Sequence, residues 1–148
     1  MSMGGDPQMQ ELSSQLEELE QHREALDAEI ESLQSQKQDV DEAIEAVENL
    51  ETDMTVQVPI GGGAYVRAEI EDIDEVIVDI GGDYSAERDQ DGAIASLEHK
   101  KETLDARIAE FREDIQQVEN QSQQVEQQLE QLRAQQMQQL QGQMQQDE

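Results

Sequence analysis

The chain has 148 residues and a formal charge of −28, from 37 acidic against 9 basic side chains, with 31% charged and 2% aromatic residues. So few large apolar groups cannot fill an ordinary globular core, and the negative field repels polyanions and anionic lipid, which excludes nucleic acid and membrane as partners. There is no cysteine for a disulfide. No apolar run is long enough to cross a bilayer and no basic-then-apolar leader is present, so a cytoplasmic protein is expected. The acidic excess, with Lys37, Lys100 and Lys101 as the only lysines, fits a halophilic setting in which concentrated salt shortens charge repulsion to a few ångströms.

The first element is a helix. Asp6 reads as its N-cap and Pro7 as its first residue, where a missing N–H costs nothing. Leu12, Leu19, Leu26, Leu33, Val40, Val47 and Met54 fall seven apart, and Met9, Leu16, Ile30 and Ile44 occupy the companion row of a heptad, which Arg23, Lys37 and Glu51 also share. The pattern predicts a coiled-coil helix over 7–53.

Residues 54–87 change period. Val56, Val58 and Ile60 alternate with Gln57 and Pro59, Gly61–Gly63 turn the chain, and Val66, Ala68 and Ile70 alternate on the return. A second hairpin follows, with Val76, Val78 and Ile80 expected on one face, a turn at Gly81 and Gly82, and Tyr84 opening the return strand. Pro59 confines the first strand to an edge, because it has no N–H to donate. Uncovered hairpins expose apolar faces and open edges that water does not tolerate, so other subunits are expected to cover them.

The heptad resumes over 88–141. Leu97, Leu104, Phe111, Val118, Val125 and Leu132 form one row and Ile94, Ile108, Ile115 and Leu129 the other, interrupted by Lys101, Ser122 and Gln136. Met137, Leu140 and Met144 continue out of phase, and Gly142 reads as the helix terminator before a tail over 142–148. The alternative for the Gln-rich stretch 116–146 is a disordered tail, against which the in-phase Val118, Val125, Leu129 and Leu132 argue. Two helices of about 47 and 50 residues can fold back as an antiparallel hairpin in which each buries the other's stripe. The fold class is therefore α+β, mainly α: a single domain of one long coiled-coil hairpin with two β-hairpins inserted between its helices.

The order of heptad helix, two hairpins around "VPIGGGAYVRAEI" and "VIVDIGGDYSAERD", and second heptad helix resembles the alpha subunits of the archaeal prefoldin family over nearly the whole chain. The two glycine turns and the paired hairpins are the specific part of that resemblance. It implies a hexamer of two alpha and four beta subunits whose hairpins build a double β-barrel body. It further implies an ATP-independent holdase without cofactor, which captures unfolded proteins at the coiled-coil tips and passes them to a group II chaperonin. On that footing Val56, Val58, Ile60, Val66, Ile70, Val76, Val78, Ile80 and Tyr84 are the candidate assembly residues. Met3, Met9, Leu12, Leu16, Leu132, Met137, Leu140 and Met144 are the candidate client-binding residues; methionine suits a surface that must fit many apolar sequences.

Other chemistry finds little support. "ERDQDGAIASLE", residues 87–98, spaces Asp89, Asp91, Gly92, Ile94 and Glu98 as a calcium loop would, but it starts on Glu87, follows a strand and already contains coil residues, so helix entry is the expected role. His22 and His99 fall outside both apolar rows with no nucleophile or oxyanion turn beside them, so neither catalysis nor a metal site is expected. The glycine triplet lacks the Lys and helix of a phosphate loop. Two further readings are a passive coiled-coil spacer or scaffold and a calcium-responsive module.

The crowding of like charges predicts salt dependence. Helical circular dichroism should fall on dialysis from molar to about 10 mM salt, as the screening length grows from about 3 to about 30 Å, and recover on return. A signal unchanged across that range would contradict the halophilic reading.

Overall fold

The structure is a computed structural model that describes residues 7–146. Helix α1 spans Pro7–Asn49, strands β1 to β4 span Thr55–Gly61, Ala64–Glu69, Val76–Gly81 and Tyr84–Arg88, and helix α2 spans Gln90–Gln146. The molecule is thus mainly α, with two separate antiparallel two-stranded sheets, β1–β2 and β3–β4. The expected N-cap Asp6 lies outside the described residues. Two compact units can be distinguished: residues up to 31 with those from 109 onward, and residues 32–108.

In both units the heptad rows form the seam between α1 and α2. Leu12, Leu26, Ile30, Leu33, Val40, Leu104, Ile108, Val118 and Leu129 are buried. Every other row member within a helix is half-buried except Arg23, which is exposed. The charged interruptions of the rows face acids across the seam. In the second unit Lys37 Nζ lies 2.7 Å from Asp105 Oδ1, and Lys101 Nζ lies 2.7 Å from Asp41 Oδ1. In the first, Arg23 Nη1 lies 2.8 Å from Glu119 Oε1. The two residue numbers in each of these pairs add to 142, so each unit holds the same antiparallel register. The hydrogen bond to Asp41, and then the attraction of that carboxylate, raises the Lys101 amine above its ordinary pKa.

The helix ends depart from the heptad reading. α1 stops at Asn49, so Glu51 and Met54, though still in phase, lie outside it. Asp53 takes a positive φ of 70°, donates its N–H to Ile70 O at 2.7 Å, and leaves Met54 O to accept from Ile70 N at 2.8 Å. Those two bonds extend the β1–β2 ladder, and the chain that makes them cannot continue a helix. At the other terminus α2 runs through Gly142 to Gln146. An isolated glycine costs a helix about 1 kcal/mol relative to alanine, which weakens it without ending it. The helices therefore have 43 and 57 residues, not near-equal lengths.

Polar bonds tie the hairpin roots to the helix ends. Gln90 donates from Nε2 to Val47 O at 2.8 Å and to Leu50 O at 3.2 Å, satisfying carbonyls that the last turn of α1 leaves open. The Gln90 N–H donates to Asp74 Oδ1 at 3.3 Å, and the Ile73 N–H donates to Thr52 Oγ1 at 3.1 Å. Asp89 caps α2: its Oδ1 accepts from Gly92 N at 2.7 Å and its carbonyl from Ala93 N at 2.8 Å. A Cβ at Gly92 would stand 2.6 Å from that Oδ1, so glycine keeps the cap in place.

Replacing Asp89 by Ala should cost about 1 kcal/mol of stability, the usual worth of an N-cap, and Asp89→Asn should retain most of it. Thermal unfolding followed by circular dichroism at fixed salt measures both. Equal stability of Asp89→Ala and the native chain would contradict the capping role.

Candidate functional site

The two hairpins are built alike. In the first, Val56 pairs with Ala68, Val58 with Val66 and Pro59 with Tyr65; in the second, Val76 pairs with Arg88, Val78 with Ala86 and Asp79 with Ser85. In each, the register shifts at an isoleucine, Ile60 or Ile80, just before the turn. Both turns have positive φ at their two central residues, 61° and 79° at Gly62 and Gly63, and 61° and 65° at Gly82 and Asp83. Two left-handed residues are what a type I′ turn requires, and aspartate tolerates that region better than most side chains. The second turn is further held by Asp79 Oδ1, which accepts from Gly81 N at 2.9 Å.

Burial divides the expected assembly residues. Val78 is buried within the chain, and Val56, Ile70 and Val76 are half-buried. Val58, Ile60, Val66, Ile80 and Tyr84 are exposed, as are Tyr65 and Ile77, which lie outside the set expected from alternation. Ile77 is 74% and Tyr84 73% exposed, more than any of the others. Opposite-numbered residues share a face of an antiparallel pair, so Ile77, opposite Glu87, lies on the reverse side from Val78. The run Val76-Ile77-Val78 carries the signal for this, because consecutive apolar residues in a strand place apolar surface on both faces. Isolated two-stranded hairpins are marginal in water, and covering one such aliphatic side chain is worth about 1.5–3 kcal/mol, so these exposed groups are apolar surface whose burial would be stabilising.

The expected client-binding residues fall into two sets, all in the first unit. Leu12 and Leu129 are buried in the seam, with Met9, Leu16 and Leu132 half-buried beside them. Met137, Leu140 and Met144 are 64%, 60% and 73% exposed. In the register set by Arg23 and Glu119, Pro7 stands opposite Gln135, so these three lie beyond the first described residue of α1. The structure thus does not bring Met137 and Leu140 beside Met9, Leu12 and Leu16. Met3 lies outside the described residues.

The calcium-like spacing at 87–98 acts as a helix start, since the Asp89 carboxylate receives the Gly92 N–H. Among the described residues no group of three or more His, Cys, Asp or Glu could hold a metal ion, and no helix is long and apolar enough to cross a membrane. His22 and His99 are exposed.

Two heptad helices with a polar-bonded root from which two β-hairpins display apolar side chains define a coiled-coil hairpin of a specific kind. A family model described as "Prefoldin subunit" matches residues 6–135, and the chain belongs to the prefoldin family. It is similar to the prefoldin subunit alpha of Haloarcula marismortui, 60% identical over 72 residues, covering 49% of this chain and 47% of that protein. It is also similar to the prefoldin subunit alpha of Natronomonas pharaonis, 71% identical over 48 residues, covering 32% of each. The matched part spans about half or less of the length of these curated relatives, both from halophilic archaea. Among solved structures, a chain of filamentous PFD from Methanocaldococcus jannaschii matches with a TM-score of 0.53 at 23% identity, covering 82% of this chain and 97% of that one. That likeness is one of fold.

Two substitutions on one strand separate association from folding. Ile77→Asp should leave the unfolding of the isolated chain within about 0.5 kcal/mol of the native, as exposed changes do, yet abolish its association into larger species. Val78→Asp places a carboxylate in a buried position and should destabilise the chain itself by about 2 kcal/mol or more. Light scattering with size-exclusion chromatography reads the first and thermal unfolding the second. Native-like association of Ile77→Asp would place the association surface elsewhere.

Proposed function

We propose that this chain is an alpha-type subunit of a prefoldin and acts as an ATP-independent holdase in the cytoplasm of a halophilic archaeon. Its hairpins associate with beta-type subunits in a hexamer of two alpha and four beta chains. The terminal turns of the helical hairpin hold unfolded proteins, which pass to a group II chaperonin. The observation that carries this reading is the exposed aliphatic and aromatic surface on both hairpins, in a chain of the prefoldin family whose helices already bury their own apolar rows. A passive spacer would give that surface no purpose. The second support is the exposed Met137, Leu140 and Met144, since unbranched side chains adapt to many apolar partners through weak contacts. No nucleotide enters this scheme: terminal helical turns open with little free energy, so apolar side chains become available by fraying alone.

Removing residues 1–10 together with 136–148 should leave assembly with a beta-type subunit intact and abolish protection of a denatured, aggregating protein, in the absence of nucleotide. Light scattering from the client and the mass of the truncated complex are the two readouts. Full protection by an intact truncated complex would move client holding to another surface.

A further inference from the structure

Two parts of the second unit carry opposite charge without neutralising each other. A groove of about 790 Å³ lies between the turn end of the β3–β4 hairpin and the first turns of α2, lined by Ile80, Arg88, Ala95, Ser96, His99 and Lys100 among others. The one acid of its lining, Asp79, already accepts the Gly81 N–H through Oδ1 at 2.9 Å. The stem of Arg88 runs over Gly92, where a Cβ would stand 3.6 Å from Arg88 Cβ and 3.8 Å from its Cδ. Among the described residues neither Arg88 nor Lys100 has an ion-pair partner, whereas Arg23, Lys37 and Lys101 each have one across the seam. In a chain of formal charge −28, this groove is a place of unmatched positive charge.

The linker between β2 and β3, residues 70–75, is its opposite: it holds Glu71, Asp72, Asp74 and Glu75 and no base. Its backbone is fixed. Asp72 Oδ1 accepts from Asp74 N at 2.9 Å and Asp72 O from Glu75 N at 3.1 Å, while the Ile73 N–H and Asp74 Oδ1 bond to Thr52 and to the Gln90 N–H. Glu71 and Glu75 are exposed, and their carboxylates have no partner among the described residues. A loop fixed in advance loses little freedom on docking. Groove and linker belong to one unit, yet no ion pair joins them, so each is free to meet its complement on another molecule.

We infer that the linker of a second copy of this chain docks in the groove, with Glu71 and Glu75 meeting Arg88 and Lys100. The planar fork of Arg88 takes a carboxylate through two N–H groups, and Lys100 adds a point charge beside it. Every copy carries both halves, so a twofold pair of chains makes the contact twice. Ile80, 55% exposed, lines the groove on the hairpin that also displays Ile77 and Tyr84, so the polar contact continues that apolar surface. Ion pairs covered by docking are screened by salt much less than exposed ones, which lets the contact select its partner in concentrated salt. This recognition of one copy by another depends neither on client holding nor on a beta-type subunit.

Sedimentation equilibrium of the full chain at one fixed salt concentration measures the dimer, and circular dichroism confirms the fold of each variant. Arg88→Glu with Lys100→Glu, and separately Glu71→Lys with Glu75→Lys, should each weaken dimerisation by about tenfold or more. All four changes together should restore it to within about threefold of the native chain. Net charge alone predicts otherwise: the first variant is more negative than the native chain and the second less, so general repulsion would weaken one dimer and strengthen the other. Opposite effects of the two variants, no effect of either, or no recovery in the fourfold variant would overturn the docking, as would a native chain that stays monomeric. Should a charge reversal unfold the chain, Arg88→Gln with Lys100→Gln should still weaken the dimer by about threefold, and an unchanged dimer there would overturn the docking equally.

Discussion

The constraint on which this molecule depends is the seam between α1 and α2. Each helix carries two apolar residues per heptad, a stripe too narrow to be buried by anything except a matching stripe. A seven-residue period is degenerate, however, since a slip of one heptad would still bring apolar rows together. The charged interruptions break that degeneracy. Arg23 meets Glu119 in the first unit, Lys37 meets Asp105 and Lys101 meets Asp41 in the second, and a slip within either unit would separate its pairs. Their side chains are between a third and a half exposed, where a pair is worth about 0–1 kcal/mol and less in salt. Their combined contribution is therefore selection among registers, while the buried leucines, isoleucines and valines supply the cohesion.

The seam also decides what is left for the β insert to do. Because the helices satisfy one another, the hairpins have no helical stripe waiting for them, and they are held mainly at their roots. Gln90 reaches the last carbonyls of α1, Asp74 receives the Gln90 N–H, and Thr52 receives the Ile73 N–H. With the roots fixed in this way, Ile60, Tyr65, Ile77 and Tyr84 still face water. The two hairpins repeat one design of strand, shift, left-handed turn and strand. They differ in cover: Val78 is buried, whereas Val58, its counterpart in the first hairpin, is open.

Charge is distributed by the same logic. Acids dominate the solvent faces of the coil and the linker between the hairpins. They are absent from the last helical turns, where Met137, Leu140 and Met144 lie open. Each glycine turn follows from local chemistry, because two successive left-handed residues leave few side chains to choose from.

The sequence by itself determined the two heptad rows, the two hairpins with their glycine turns, and the family they resemble. Those features are periodic or local: a row recurs every seven residues, and a left-handed turn favours glycine, asparagine or aspartate at its central positions. Tertiary structure decided the rest. Glu51 and Met54 keep the heptad phase, yet the helix ends at Asn49, because the ladder bonds between Asp53, Met54 and Ile70 compete with another helical turn. Gly142 looks like a terminator, but a single glycine does not outweigh the helix on both sides of it. Alternation gave Val76, Val78 and Ile80 one face, while the shift at Ile80 and the exposure of Ile77 follow from cross-strand pairing that a single strand does not display. The partners of Arg23, Lys37 and Lys101 lie 96, 68 and 60 residues away along the chain, and only the folded register could choose them from 37 acids.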